Sequence, residues 1–141
     1  MPKVDRQILK NKDKIVNDIS AFTKKGNILS ENEELKPYET DGLAAYKQTP
    51  MLVVLPENTN EVSKILSYCN KNKIKVVPRG AGTGLAGSAL PLADCILLGL
   101  GKFNKIKEID YRGVRQTVWK LNPKEFLAHL DKHPWEDHVL L

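Results

Sequence analysis

Residues 76–91 concentrate the groups that could do chemistry: Gly80, Gly82, Gly84 and Gly87 follow a short β-branched run and one arginine, Arg79. Glycines let a backbone take positive φ angles and approach a ligand with no Cβ atoms in the way. Successive main-chain N–H groups can then converge on an anion as a nest. Arg79 adds a charged, forked donor at the mouth. The chemistry implied is a cradle for the diphosphate of a nucleotide cofactor; the plain alternative is a mobile surface turn.

Gly82-Thr83-Gly84-Leu85-Ala86-Gly87 satisfies G-x-G-x-x-G. That pattern has meaning for dinucleotides only where it opens a helix after a strand. Here Pro91 follows closely and Cys95 to Leu98 reads as another strand, leaving no room for a crossover helix of roughly 10 or more residues. No Gly-Lys-Ser/Thr follows either, so a Walker loop is excluded. An NAD-dependent Rossmann enzyme is therefore disfavoured.

The elements that must position this loop are legible around it. Leu52-Val53-Val54-Leu55 is a continuous apolar run of strand type, ended by Pro56. Thr59 is the expected N-cap of a helix, with Glu61 favouring its dipole. Val62, Ile65, Leu66 and Cys69 then fall at i, i+3, i+4 and i+7 on one helical face. Ile74 to Val77 forms the next strand, so a βαβ unit with parallel strands delivers the loop. Cys95 to Leu98 is a third strand, and Ile106, Ile109 and Tyr111 suggest an element leading to a fourth. Upstream, Val4, Ile8, Leu9, Ile15, Val16, Ile19 and Phe22 make an imperfect helical stripe stopped at Gly26-Asn27. Residues 28–50 hold Pro37, Gly42 and Pro50 without a sustained period and read as an extended connection.

Composition bounds the partners. The chain has 141 residues, 41% hydrophobic and 28% charged, enough for one ordinary domain with a core. A net charge of +5 from scattered lysines describes a solvated surface, and no basic stripe interleaved with aromatics points to nucleic acid. No apolar run approaches the length of a membrane span, and the charged N-terminus lacks a signal peptide's apolar segment. Cys69 and Cys95 read as buried, reduced thiols, which makes the cytoplasm the default compartment. His129 and His133 share a helical spacing, with His138, Glu136 and Asp137 nearby. Pro134 interrupts them and no His-Glu-x-x-His is present, so solvated histidines are the reading and no metal site is assigned.

Residues 37–46 (Pro-Tyr-Glu-Thr-Asp-Gly-Leu-Ala-Ala-Tyr), Pro50 with Leu52 to Pro56, the helix, and residues 78–87 together resemble the N-terminal part of FAD-linked oxidases of the vanillyl-alcohol-oxidase (PCMH) type. Within that family the similarity is greatest to flavin subunits of bacterial glycolate oxidase, with D-lactate dehydrogenases close by. The resemblance covers roughly residues 1–111. It implies an α+β fold, the first lobe of a two-lobed FAD-binding domain, in three segments: 1–48 the helix and connection, 49–111 the lobe, and 112–141 an unmatched tail. A short helix starting near Asn122 is expected in that tail, which does not resemble the family's continuation and reads as foreign or frame-shifted sequence, or the end of a truncated product.

Carried over by position, the resemblance implies FAD contacts at Pro78, Arg79, Gly80, Ala81, Gly82, Thr83, Gly84, Leu85, Gly87 and Ser88. In covalently flavinylated relatives a histidine commonly stands where Thr83 stands, so noncovalent FAD is implied. Asp41, with Tyr38 and Tyr46, either lines the flavin or fixes the connection by hydrogen bonds. The implied activity is oxidation of a small 2-hydroxy acid through the flavin, with a second flavin subunit and an iron–sulfur subunit as partners, in the cytoplasm or peripheral to the inner membrane through them. No catalytic residue is assigned, and the chain alone is expected to bind FAD weakly and to oxidise no hydroxy acid. The competing expectation is a non-catalytic module that binds a partner subunit or has no activity.

Overall fold

The computed structural model describes residues 3–104, and one compact unit spans Met1–Lys102. In chain order its elements are α1 (Arg6–Lys10), α2 (Lys12–Ser20), β1 (Ile28–Leu29), α3 (Asn32–Leu35), β2 (Leu52–Val54), α4 (Thr59–Lys71), β3 (Lys75–Arg79) and β4 (Cys95–Gly99). The strands form one sheet in the order β1-β2-β4-β3. The fourth strand, the helix near Asn122 and the three histidines expected from the sequence lie outside the described residues.

The β2–α4–β3 unit is present; of the expected α4 face Ile65 and Cys69 are buried and Val62 packs against the core, whereas Leu66 is exposed. Its two strands do not touch. β4 inserts between them, parallel to both, with Val53 opposite Leu97 and Val77 opposite Leu97 on the other side. The N-cap of α4 is Asn58, not Thr59: its side chain accepts the Glu61 N–H at 3.0 Å, and the Glu61 carboxylate returns to the Glu57 N–H at 2.9 Å. Both residue types cap well, and the one that reaches the third helical N–H decides.

The N-terminal stripe is divided. Asp5 caps α1 by accepting from Gln7 and Ile8, and Asn11 separates α1 from α2. Helix α2 ends at Ser20, well before Gly26; Lys25–Asn27 is a 3-10 turn that feeds β1. That strand falls inside the segment expected to be extended connection. It pairs antiparallel with β2, Ile28 opposite Val54. Two residues are too few to show a period, so only the pairing reveals them. Helix α3 is opened by a capping box between Glu31 and Glu34.

Alternation along the strands splits the core between two faces. Leu52 and Val54 of β2, with Ile96 and Leu98 of β4, pack on Ile15 and Ile19 of α2 and Ile65 and Cys69 of α4. Val53 and Leu97 point the other way, onto Leu35 with Leu29, Tyr38 and Leu55 around it. Burial on both faces explains why β2 and β4 read as unbroken apolar runs. The smaller face brings the connection, through Tyr38, beneath the start of the glycine loop.

Candidate cofactor site

Strand β3 runs parallel to β4 and ends at Arg79, opposite Gly99, so the loop leaves the sheet at the carboxyl end of its parallel strands. In open α/β sheets this is the end that binds ligands. Among the described residues β3 is an edge strand, which is where a sheet tolerates Pro78 and its missing N–H. The carbonyl of Arg79 accepts the Leu100 N–H at 2.9 Å, closing the ladder. Past that point no regular structure intervenes before β4.

Within this loop the N–H groups of residues 80–88 have no acceptor among the described residues. The first amides to be taken are those of Ala89, by Asp41 Oδ2 at 3.3 Å, and Leu90, by the Gly87 carbonyl at 3.2 Å. Most of the loop is exposed, Leu85 at 75%. A run of outward, unpaired donors on a glycine-rich backbone suits an anion.

The connection holds the loop from below. Arg79 Nη1 donates to the Thr40 carbonyl at 2.5 Å, and its guanidinium lies 5.8 Å from the centre of the Tyr38 ring. Asp41, 6% exposed, accepts the Leu43 N–H on Oδ1 at 2.9 Å and the Ala89 N–H on Oδ2. Of the two roles open to Asp41, hydrogen bonding of the connection is the one seen. Tyr38 packs under Arg79, whereas Tyr46 is 58% exposed.

The glycines divide by what surrounds them. Gly82 has φ +73°, and a Cβ added there would stand 2.5 Å from Arg79 Cζ; Gly87 has φ +70° and faces Leu43. These two shape the turn and make room for the arginine. A Cβ on Gly80 would meet nothing within 4 Å, and one on Gly84 only the Ser88 hydroxyl at 3.7 Å, so those two leave the outer surface open. Pro78, Ala81, Thr83, Leu85 and Ser88 are exposed around them.

One close approach has no counterpart in the sequence reading. A Cβ on Gly42 would lie 2.6 Å from the Thr83 carbonyl oxygen and 2.8 Å from that of Gly84. In the sequence Gly42 belongs to an aperiodic connection and to the family-matching segment 37–46, neither of which shows what it packs against. Neither cysteine is activated: burial pushes the thiols of Cys69 in α4 and Cys95 in β4 up to about 11.

A family profile described as "FAD binding domain" matches residues 50–119, which includes the whole loop and both strands that frame it. Over those residues the chain carries an FAD-binding domain of the FAD-linked-oxidase type. The glycolate oxidase subunit GlcD of Escherichia coli K12 is 48% identical over 91 residues, covering 64% of this chain and 18% of that protein. The mitochondrial D-2-hydroxyglutarate dehydrogenase of Arabidopsis thaliana is 38% identical over 96 residues, 66% of this chain and 17% of the relative. The chain thus spans less than a fifth of the length of these relatives. Among solved structures, p-cresol methylhydroxylase with substrate bound superposes with a TM-score of 0.68 at 23% identity, over 87% of this chain and 25% of that one. The α+β fold is therefore that of the PCMH-type FAD-binding domain, and FAD is the cofactor of this domain. Among the described residues no helix is long and apolar enough to cross a membrane.

Proposed function

We propose that residues 78–88 hold the pyrophosphate of FAD, noncovalently, as part of a flavin-dependent oxidoreductase acting on small 2-hydroxy acids. The observation that carries this reading is the run of amides at 80–88 without an acceptor among the described residues, set at the carboxyl end of parallel strands. The donors fit the group. A diphosphate needs several N–H groups at close range and no side chain in the way, and Gly80 and Gly84 leave that approach open. Arg79 contributes a permanent positive charge at the base of the loop while its Nη1 is held by Thr40. Residues 76–91 contain neither histidine nor cysteine, and threonine stands at position 83, which supports a cofactor held without a covalent bond.

Bound FAD supplies a hydride acceptor, which suits oxidation of a 2-hydroxy acid to a 2-oxo acid. Glycolate and D-2-hydroxyglutarate, the substrates named for two relatives, share a hydroxyl on the carbon beside a carboxylate, and that group is the proposed substrate class. The glycolate oxidase relative is a subunit, which supports an assembly with further subunits; the proposed members are a second flavin subunit and an iron–sulfur subunit.

Gly80→Val tests the reading. The position has room for a side chain, so the fold is expected to survive, while the new side chain occupies the space proposed for the phosphates. FAD affinity, read by quenching of flavin fluorescence, should fall about tenfold or more. Unchanged affinity in a folded variant would refute the assignment. Flavin that stays with the polypeptide after denaturation would refute noncovalent binding.

A further inference from the structure

Residues 40–42 sit outside the loop, yet they touch it at its start, middle and end. At the start, the Thr40 carbonyl accepts Arg79 Nη1; at the end, Asp41 Oδ2 accepts the Ala89 N–H. In the middle, Gly42 lies against the carbonyl oxygens of Thr83 and Gly84, so near that a Cβ would stand 2.6 and 2.8 Å from them. The described peptide bonds are all trans. In a planar trans peptide the C=O and the following N–H point in opposite directions. Gly42 packs against the two successive peptide groups that carry the Gly84 and Leu85 amides, neither of which has an acceptor among the described residues. Two adjacent unpaired N–H groups can form an anion-binding nest.

We infer that Asp41 and Gly42 are positioning residues for the cofactor's phosphates: they clasp the loop so that the Gly84 and Leu85 amides present together. This rests on the FAD reading above and adds which donors face the anion and what aims them. Gly42 serves by having no side chain, since any Cβ would push the two carbonyls, and the amides behind them, out of line. Asp41 serves through its carboxylate: Oδ1 fixes the turn at Leu43 and Oδ2 ties down the loop's far end. Both oxygens are committed to N–H groups, so an amide in place of the carboxylate would oppose a donor to a donor.

The experiment is a titration of the ¹⁵N-labelled 141-residue chain with FAD, followed by amide resonances, for the wild type, Gly42→Ala and Asp41→Asn. In the wild type the Gly84 and Leu85 amides should shift saturably. Gly42→Ala should weaken FAD by about tenfold or more and Asp41→Asn by less, both with the Gly84 and Leu85 response diminished. Resonances of Ile96 and Leu97 in β4 should stay in place, which separates misaimed amides from a damaged fold. Should Gly42→Ala fail to fold, the isosteric Asp41→Asn carries the test. If FAD shifts other loop amides but not Gly84 and Leu85, or both variants keep full affinity, the clasp is wrong and the pyrophosphate reading stands. If no loop amide responds to FAD in the wild type, both fail together.

Discussion

The two ends of the sheet each hold an aspartate almost withdrawn from solvent, and they put it to opposite uses. At the amino end of β3 and β4, Asp94 is 2% exposed, and its Oδ2 takes Lys75 Nζ and the Asp5 N–H, each at 2.6 Å. A charge is neutralised there and the N-terminal helices are tied to the sheet. At the carboxyl end Asp41 accepts only amides and anchors a loop whose remaining donors stay unpaired. One end spends its polar groups on internal satisfaction, as buried charges require. The other withholds them. On the proposed reading of the loop, stability and ligand binding are separated along the strand direction, with the apolar centre of β2 and β4 common to both.

Variants can break that separation or sharpen it. The largest effect is expected from the shared centre: Leu97→Ala empties a fully buried site on the smaller face and should cost about 2–5 kcal/mol, read as a lower urea midpoint. FAD binding should fall only as far as the folded fraction does. Gly80→Val comes next and should do the converse, losing FAD while the urea midpoint holds. Asp94→Asn should remove about 1–3 kcal/mol of stability with FAD affinity per folded molecule unchanged. A loss of affinity comparable to that of Gly80→Val would mean that the two ends are coupled.

Acid should act at the amino end in the same sense. Burial pushes the Asp94 carboxyl up, but the hydrogen bond and charge of Lys75 and the Asp5 amide outweigh it, leaving it below its usual 3.8. A depressed carboxylate lends stability that is present above the unfolded value and lost as pH falls through the folded one. Stability should therefore decline below about pH 4, and less so in Asp94→Asn, when denaturation is followed against pH. The smallest effect belongs to Glu57→Gln. Hydrogen bonds from Lys24, then Asn27, bring Glu57 down from 4.5 to about 2, but this carboxylate is a third exposed and solvent screens it. Its contribution should appear only at low salt, fading as pH drops from 4.5 toward 2.

Much of this was legible before any coordinates. The α4 face, the apolar runs of β2 and β4 and the glycine loop each carry their signal within a few residues, so local pattern sufficed. What escaped was set by distant partners. β1 exists because Ile28 and Leu29 meet β2, and nothing within the two residues announces it. The position of β4 between β2 and β3 depends on which strands pair, a choice that periodicity does not encode. Gly82 was read as clearance for a ligand, yet its open side is filled by Arg79. Gly42 read only as part of an extended connection, because its neighbour in space, Thr83, lies far along the chain.

The place of β4 has a consequence for biosynthesis. The sheet's middle member is the last of the described strands to leave the ribosome, so β2 and β3 emerge with no partner between them. At ~5–20 residues per second they must wait on the order of seconds before the gap can be filled. Until then their apolar edges are open to rival pairings, and the emergence of β4, more than the intrinsic closing rate, sets when this sheet first becomes native.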